Sequence, residues 1–270
     1  MPMDPSRPLQ DRVALVTGSS GGIGEGLVRA MAEAGAKVVV TYHSNEGGAR
    51  TIADEIEARG GEAMVAALDA SDEESVEDVF ARTVERFGRV DCAVANAGAQ
   101  HDAAFADMTL ADWRAVIDLD LTGQFLTVRE AVRHMRDQEP SEGARARGAI
   151  VCISSVHDTI PWAGHVNYAA SKGGVQMMMR SVAQEVAGGG IRVNSIAPGA
   201  IATSINEDVW GDEEKRAKLM DLIPYGRIGE AEDVARLAVW LLSDAADYIV
   251  GQTITIDGGM SLYPGFIGNG

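Results

Sequence analysis

Seven short apolar runs alternate with longer helical patterns along this chain, and that alternation limits the possible folds more than any other feature. The runs are too apolar to leave one face in water, so we expect helices to cover both sides of the strands. Strands that are connected through helices lie parallel in one sheet. The pattern predicts an α/β fold whose strands occupy residues 13–17, 37–42, 63–68, 90–95, 149–153, 191–196 and 253–256.

Length and charge narrow the class of protein further. With 270 residues and no linker-like boundary, we expect a flexible tail at residues 1–9 and one domain over residues 10–270. A net charge of -17 disfavours nucleic acid and anionic membranes as partners, because both attract basic surfaces. No stretch has the roughly 18 apolar residues of a membrane span, and no apolar leader stands at the start. We therefore expect a cytoplasmic protein.

The cysteines and histidines give little sign of metal or redox chemistry. Cys92 and Cys152 each lie inside a predicted buried strand, so we expect inert core thiols rather than a disulfide or a nucleophile. The five histidines show no pair at metal-ligand spacing that cysteine or carboxylate supports. The sequence therefore supports no metal site.

Helix signals add two expectations about the segments between the strands. Ser71-Asp72-Glu73-Glu74 is typical of a capping box, and we expect it to open a helix that ends near Phe87. A second helical pattern runs from Thr109 to about Gln138 and is unusually apolar for an exposed surface. Packing against another subunit and ordinary core burial explain that pattern about equally well.

A glycine-rich segment, residues 17–26, follows the first predicted strand and leads into an amphipathic helix. Glycine permits positive φ and a close backbone approach, and a helix N-terminus offers unpaired N–H groups to a pyrophosphate. Such a cluster can also be a simple turn, but its place between a strand and a helix favours nucleotide binding. The residues expected to contact the cofactor here are Gly18, Ser20, Gly22, Ile23 and Gly24.

Tyr168 and Lys172 lie four residues apart in a helical pattern, and Ser155 stands upstream of them at the end of an apolar strand. Residues four apart share one helix face, so the ammonium can lie beside the phenol and favour its ionised form. A free tyrosine titrates near ~10, which is too high for a base at neutral pH. Although such a pair also occurs by chance on solvated helices, the three residues together predict a proton-transfer site.

Four motifs, in this order along the chain, resemble the short-chain dehydrogenase/reductase family. They are the pattern Thr-Gly-x-x-x-Gly-x-Gly, Asn96-Ala97-Gly98, Ser155 with Tyr168 and Lys172, and Pro198-Gly199. The resemblance covers nearly the whole length and implies a single-domain, Rossmann-like fold with a doubly wound parallel sheet of seven strands. It also implies an NAD(P)-dependent oxidoreductase with a small-molecule substrate, and the expected assembly is a homotetramer.

The resemblance further implies which residues hold the cofactor. Asp69 would contact the adenine, although a carboxylate that starts a helix is an alternative interpretation. Thr203 and the backbone of Ile201 would hold the nicotinamide carboxamide, and Lys172 would also bind the nicotinamide ribose. The remaining contacts that the motifs imply are those of Asn96, Gly98, Tyr168, Pro198 and Gly199.

The end of the second strand bears on the choice between NAD and NADP. Folds that select NAD place Asp or Glu there, where it accepts hydrogen bonds from the adenosine ribose hydroxyls. This chain has Tyr42, His43 and Ser44 instead. No carboxylate stands at this place, so a 2′-phosphate would not be repelled. We expect NADP, with NAD tolerated, while a solvated loop is an alternative interpretation of His43.

One residue departs from the family pattern. The family's fourth catalytic residue is usually an Asn in the long middle helix, and the matching residue here is Asp120. A carboxylate can still accept a hydrogen bond from the water of the proton relay. We therefore keep Asp120 among the catalytic candidates and expect that water to be held differently.

Two segments outside the cofactor motifs resemble the glucose 1-dehydrogenases of this family. They are residues 154–162, with His157 and Ile160-Pro161-Trp162 after the catalytic serine, and the tail at residues 258–264. A polar, helix-like stretch at residues 203–226 is expected to form a substrate lid. The residues expected to contact substrate are Gln100, Ser155, His157, Tyr168 and Asn206. Packing or loop capping is an equal alternative for Gln100, His157 and Asn206.

The expected reaction is oxidation at C1 of a β-aldose to the lactone. The alternative is an NADPH-dependent carbonyl reductase such as a 3-oxoacyl-carrier-protein reductase, whose acidic partner calls for an arginine patch. Arg129, Arg133 and Arg136 are spaced for one helix face, but a solvated stripe explains them equally simply. A nucleotide-sensing protein without turnover is a third possibility, although it has no reason to keep a complete catalytic set.

Overall fold

The computed structural model describes residues 7–203 and 212–262 and contains a seven-stranded sheet. Its strands are β1 Val13–Val16, β2 Lys37–Tyr42, β3 Ala63–Ala67, β4 Cys92–Ala95, β5 Gly148–Ile153, β6 Ile191–Pro198 and β7 Thr253–Ile256. All pairings are parallel and the spatial order is β3-β2-β1-β4-β5-β6-β7. The predicted Rossmann-like sheet is therefore confirmed.

Helices connect the strands within the described residues. They are α1 Gly22–Glu33, α2 Glu46–Ala58, α3 Glu73–Phe87, α4 Leu110–Val116, α5 Gly123–Arg136, α6 Val166–Val186, α7 Glu213–Met220 and α8 Ala231–Leu242. A helix ending at Phe87 was expected and is found, but the residue that caps its start is Asp72 rather than Ser71. The Asp72 carboxylate accepts a hydrogen bond from the N–H of Ser75 (3.2 Å).

The long middle helix that the sequence predicts is interrupted. A π-helical segment, Ile117–Thr122, separates α4 from α5. Such segments are rare and insert an extra residue into a turn, which redirects the side chains that follow. Apolar periodicity alone does not reveal this change, because the pattern continues across it. The segment contains Asp120, which is completely buried.

The sheet buries a separate apolar core on each face. Ala14 and Val16 of β1 point to the core that α1, α2 and α8 cover, whereas Leu15 points to the core beneath α3, α5 and α6. This alternation follows from the two-residue period of a strand. Because both faces are covered, the strands are apolar throughout, as expected for a doubly wound parallel sheet.

The order of the strands fixes where a ligand can bind. β1 lies between β2 and β4, with Val16 opposite both Val40 and Val94. The chain winds outward from β1 to β3 and then returns to β4 on the other side of β1. In such a sheet, the crevice beyond the carboxyl ends of the strands at this reversal is the usual ligand site. The loops after β1, β4 and β5 therefore meet at this edge.

The structure bears on two predicted boundaries, those of the N-terminal tail and of the lid. Leu9 is buried, and its N–H donates to the carbonyl of Ala34 (3.0 Å), so the packed structure reaches further toward the N-terminus than residue 10. Of the expected lid at residues 203–226, the structure describes Thr203 and residues 212–226, which include α7. None of the helices in the described ranges is both long and apolar enough to span a membrane.

Candidate active site

The loop after β1 has the shape of a phosphate cradle. Gly18 and Gly22 have φ of +64° and +56°, a conformation that side chains disfavour, and a Cβ at Gly24 would overlap the carbonyl oxygen of Gly18. Helix α1 begins at Gly22, and its cap residue, Gly21, has no side chain to bind the first N–H groups. These open N–H groups suit a pyrophosphate. The predicted residues Ser20 and Ile23 lie in the same loop and first turn.

Asn96 holds this loop in place. Its side-chain Nδ2 donates to the carbonyls of Thr17 (2.9 Å) and Gly18 (3.1 Å). In return, the hydroxyl of Thr17 accepts the N–H groups of Asn96 (2.9 Å) and Ala97 (3.0 Å). The cofactor contact that the sequence predicts for Asn96 stays a prediction, and the structure shows that its amide also joins β4 to the glycine loop.

The ends of β2 and β3 form the expected adenosine side of the crevice. His43 is exposed next to Tyr42 and Ser44, and its Nε2 lies 3.9 Å from Oδ2 of Asp69. The hydroxyl and N–H of Ser71 donate to the other oxygen of Asp69 and hold the pKa of its carboxyl below the usual value. A carboxylate thus approaches His43 from β3, although none follows β2 in the sequence.

Asn45 links the same region to the glycine loop. Its Nδ2 donates to the carbonyl of Ser20 (3.1 Å), while its Oδ1 accepts the N–H of Gly48 and so caps α2. Sequence analysis did not identify Asn45 as part of the site. Its position one residue before a helix indicated a cap, but the contact with Ser20 spans two separate loops.

The loop after β6 forms the side of the crevice where the nicotinamide is expected. Pro198 ends that strand, and a Cβ at Gly199 would lie 2.7 Å from Cβ of Asp257, so the loop passes close to the C-terminal segment. Ile201 forms an isolated parallel bridge with Gly229. A Cβ at Gly22 would lie 3.6 Å from the Thr203 side chain. The loop after β6, which contains the predicted Pro198-Gly199 turn, therefore runs back to the glycine loop after β1.

Ser155 and Tyr168 are brought to the same edge by β5 and α6. Ser155 follows β5 and caps a short 3-10 turn, where its Oγ accepts the N–H of His157 (3.3 Å). Tyr168 lies in the first turn of α6. The buried side chain of Asn167 anchors that turn by donating to the carbonyls of His101 (2.9 Å) and Asp112 (3.2 Å). Asn167 was missed in the sequence, because both of its partners are distant along the chain.

Lys172 is almost fully buried beside Tyr168. Its Nζ lies 5.3 Å from the centre of the tyrosine ring and donates to the carbonyl of Ile153 at the end of β5 (3.3 Å). Burial acts to lower the pKa of this ammonium, but the negative charges of Asp120 and Tyr168 outweigh it and leave the pKa raised. The predicted pairing of phenol and ammonium on one helix face is therefore present.

Asp120 makes a direct ion pair with Lys172. Its Oδ2 lies 3.2 Å from Nζ of the lysine, and its Oδ1 accepts the N–H of Ala99 (2.7 Å). Burial raises the pKa of the Asp120 carboxyl, and the ammonium opposes that shift only in part. A Cβ at Gly98 would lie 3.1 Å from Oδ2, so the glycine of the Asn-Ala-Gly motif makes room for this carboxylate.

Three stacked rings form a wall beside Tyr168. Trp162 stacks on His157 (centroids 4.3 Å apart) and on His165 (3.6 Å), and the rings of His157 and Trp162 both meet the Tyr168 ring edge-on. The Nδ1 of His157 lies 3.1 Å from the carbonyl of Ile160, and burial lowers the pKa of the imidazole. Nδ1–H is therefore the donor in the neutral ring, which leaves Nε2 as an acceptor.

Two further substrate contacts were expected, those of Gln100 and Asn206. Gln100 is exposed in the loop after β4, two residues beyond Gly98. Asn206 lies outside the described residues, as do residues 263 and 264 of the tail.

Comparisons with known proteins find relatives that match nearly the whole chain. The family model described as Enoyl-(Acyl carrier protein) reductase matches residues 18–261. The 3beta-hydroxysteroid dehydrogenase 1 of Eggerthella lenta is 43% identical over 258 residues, which are 96% of this chain and 97% of that protein. Glucose 1-dehydrogenase 2 of Bacillus subtilis is 40% identical over 259 residues, which are 96% of this chain and 98% of that protein.

A solved structure has the same overall shape. The crystal structure of a gluconate 5-dehydrogenase from Burkholderia cenocepacia, in complex with NADP and tartrate, matches with a TM-score of 0.87 and 33% identity. The match covers 96% of this chain and 98% of that chain. This chain therefore belongs to the short-chain dehydrogenase/reductase family, whose members are NAD(P)-binding oxidoreductases.

Replacing Asn96 tests whether the cradle depends on it. In Asn96→Ala two loop carbonyls lose a donor, and we expect the dissociation constant of NADPH to rise by roughly tenfold, equivalent to about 1.4 kcal/mol. The measurement is a fluorescence titration of NADPH. A matched control is Asn194→Ala, because the buried side chain of Asn194 also donates to a backbone carbonyl, that of Ile249 (2.8 Å). The control should lose stability but keep its affinity, and unchanged affinity in Asn96→Ala would contradict the assignment.

Proposed function

We propose that this enzyme oxidises C1 of a β-aldose such as glucose to the lactone, with NADP as the preferred cofactor and NAD tolerated. The observation that carries the proposal is the convergence of Ser155, Tyr168 and Lys172 beside the ring wall at the edge that holds the glycine cradle. The 40% identity to a glucose dehydrogenase over nearly the whole chain supports the choice of sugar.

The roles of the three catalytic residues follow from their chemistry. Tyr168, as the phenolate, takes the proton of the C1 hydroxyl, and Ser155 donates a hydrogen bond to the reacting oxygen. Lys172 favours the phenolate electrostatically and binds the nicotinamide ribose. The nicotinamide, when bound, supplies the acceptor of the C1 hydride at its C4 atom. Asp120 is retained as a residue that acts through Lys172.

The cofactor contacts that we propose are distributed along the edge of the sheet. Gly18, Ser20, Gly22, Ile23 and Gly24 would hold the pyrophosphate, while Asp69 would contact the adenine. Pro198, Gly199, Ile201 and Thr203 would border the nicotinamide. Asn96 and Gly98 would act mainly through the loop and through Asp120, as their contacts indicate.

The wall beside Tyr168 supports a sugar as substrate. A sugar ring has polar hydroxyls and apolar C–H groups, so it needs both acceptors and flat apolar surface. His157 offers Nε2 as an acceptor, and Trp162, a residue that is about a third exposed (36%), offers indole surface. Gln100 and Asn206 remain proposed contacts, the latter outside the described residues.

The carbonyl reductase alternative uses the same residues in the reverse direction. It would need a free basic patch for an acidic carrier protein. In the structure Arg129 pairs with Glu73 (2.6 Å), and Arg133 pairs with Glu77 and Glu130 (3.1 and 3.0 Å). These arginines are already neutralised by this chain's own carboxylates, which weakens the alternative. The 43% identity to a hydroxysteroid dehydrogenase supports a different second candidate, a secondary alcohol on an apolar ring system.

A substrate panel tests the proposal. We expect D-glucose or a near epimer to reduce NADP⁺, and His157→Ala to raise KM for the sugar by roughly 5- to 100-fold, the equivalent of 1–3 kcal/mol. KM for the cofactor should change little. His134→Ala is the control, because that histidine stacks on Phe80 in the core beneath α3 and α5. The readout is NADPH absorbance with glucose, galactose, xylose, a 3β-hydroxysteroid, and an acetoacetyl thioester assayed with NADPH.

The panel also separates the candidates from one another. Thioester reduction without aldose oxidation at any pH from neutral to alkaline would reject the sugar and favour the reductase. Steroid oxidation alone would favour the second candidate. With any active substrate, Tyr168→Phe should reduce turnover by at least ~10²-fold, the usual scale of general acid–base catalysis. Near-normal turnover in that variant would contradict the proposed base.

Cofactor preference can be tested at Tyr42. Tyr42→Asp introduces a carboxylate that accepts from the ribose diol and repels a 2′-phosphate, so we expect kcat/KM to move toward NAD. Tyr42→Asn is the matched control, because it loses the same ring without gaining charge. Steady-state kinetics with both cofactors give the ratio. Strong discrimination against NADP in the unaltered enzyme would be incompatible with the proposed preference.

We also propose a homotetramer in the cytoplasm, with residues 203–226 as a substrate lid. Leu110 and Phe125 support an assembly, because these large apolar side chains of α4 and α5 are 62% and 42% exposed. Burial of such side chains in a subunit interface would remove their apolar surface from water. Sedimentation equilibrium should give four times the monomer mass of 28.5 kDa, and a monomer would contradict the assembly.

A further inference from the structure

The ion pair behind Tyr168 has a consequence for the pH at which this enzyme works. We propose that Asp120 is a positioning residue that restrains Lys172, so that Tyr168 gives up its proton at higher pH than the lysine alone would allow. The proposal rests on the role proposed for Tyr168 as the base. It concerns this chain's carboxylate, which stands where the resemblance predicts an amide.

Three separate elements hold the ion pair of Lys172 and Asp120. Lys172 comes from α6, Asp120 comes from the π-helical segment, and the carbonyl of Ile153 comes from β5. The side chains of the lysine and the aspartate are 4% and 0% exposed. Water therefore screens the two charges poorly, and each acts strongly on nearby groups. The ammonium is also restrained, because two of its neighbours are acceptors at 3.2 and 3.3 Å.

The contacts of Asp120 suit its ionised form. Oδ1 accepts the N–H of Ala99 at 2.7 Å, and Oδ2 faces the ammonium of Lys172 at 3.2 Å. Both contacts are with donors, so a proton on either oxygen would compete with one of them. The carboxylate is thus a negative charge directly beside the only positive charge that the proposed mechanism uses.

The effect on the phenol follows from the sum of the two charges. A lone ammonium near Tyr168 would favour the phenolate strongly, since opposite charges attract. With a carboxylate 3.2 Å from that ammonium, the field of the negative charge opposes the field of the positive charge at the phenol. The Lys172 nitrogen is 5.3 Å from the centre of the Tyr168 ring, which is further than the separation within the pair. The phenol therefore experiences a weakened positive field.

Other titratable groups around Tyr168 do not restore the positive field that Asp120 weakens at the phenol. Burial lowers the pKa of His157, so its ring is neutral at neutral and alkaline pH, where the base must act. Burial raises the pKa of the Cys152 thiol on β5 to about 12. Asp158, in the 3-10 turn after β5, accepts from the hydroxyl of Ser154 (2.9 Å). His165, His101 and Asp112 are further titratable groups near the first turn of α6.

Replacing Asp120 by Asn removes the charge and keeps the shape. The amide has one acceptor oxygen, so it can accept from Ala99 or face Lys172, but it cannot do both. If the oxygen keeps Ala99, the NH₂ group faces the ammonium, and Lys172 is left with Ile153 and with the phenol. The full charge of the lysine then acts on Tyr168. Asp118→Asn is the matched control, because Asp118 lies in the same π-helical segment but is exposed.

The test titrates the phenol directly and needs no substrate. The chain has five tyrosines, so tyrosinate absorbance is measured with and without Tyr168→Phe and the difference gives the titration of Tyr168. In Asp120→Asn we expect its midpoint to fall by roughly one to two pH units, which is the effect of a unit charge several Å away at an effective dielectric constant of about 20. Asp118→Asn should leave the midpoint unchanged. The pH profile of kcat, measured with any active alcohol, should move in the same direction.

An unchanged or higher midpoint in Asp120→Asn would overturn the proposal, and so would an equal shift in Asp118→Asn. If Asp120→Asn does not fold, as judged by circular dichroism and gel filtration, Asp120→Ser gives the same prediction with a smaller neutral side chain. The titration separates this proposal from the proposed function. The midpoint does not depend on which substrate the enzyme uses. Near-normal turnover in Tyr168→Phe would reject Tyr168 as the base, whereas the titration midpoint would still report the effect of Asp120 on the phenol.

Discussion

A lysine ammonium that is removed from water is costly unless it has close partners, and the active edge of this protein is arranged around one such charge. Lys172 lies between the carboxylate of Asp120 and the carbonyl of Ile153. Its position therefore ties α6 to β5 and to the π-helical segment. Since Tyr168 is one helical turn before Lys172, the same contacts that satisfy the ammonium also fix where the phenol stands relative to Ser155.

The cofactor crevice depends on the topology of the sheet rather than on any single motif. β1 and β4 are neighbours in space, although Thr17 and Asn96 are 79 positions apart in the chain. The amide of Asn96 can bind the glycine loop only because the two strands are paired in register. Asn45 adds a second connection from the start of α2 to Ser20. Family membership shows an NAD(P)-binding oxidoreductase, and we propose that the wall of rings next to Tyr168 selects its substrate.

Much of the fold was predictable from sequence, because strands and helices carry local periodic signals. The pairing of Tyr168 with Lys172 was equally predictable, since it depends only on helical spacing. The π-helical segment was not, because the apolar pattern continues through it. The Asp120 ion pair, the anchoring by Asn167 and the stack around Trp162 join residues that lie on different elements or loops. Local patterns do not specify such contacts, and the residues of the lid, the tail and Asn206 that lie outside the described ranges stay predictions.

We propose that this site moves a hydride from C1 of an aldose while Tyr168 takes the hydroxyl proton. The most direct test uses glucose that carries deuterium at C1, with NADP⁺, followed by proton and deuterium NMR of the nicotinamide product. We expect deuterium at C4 of the reduced nicotinamide, and formation of that product at least ~10²-fold slower when Tyr168→Phe replaces the unaltered enzyme. Reduced cofactor without deuterium, or no reduction by any aldose while another alcohol is oxidised, would contradict it.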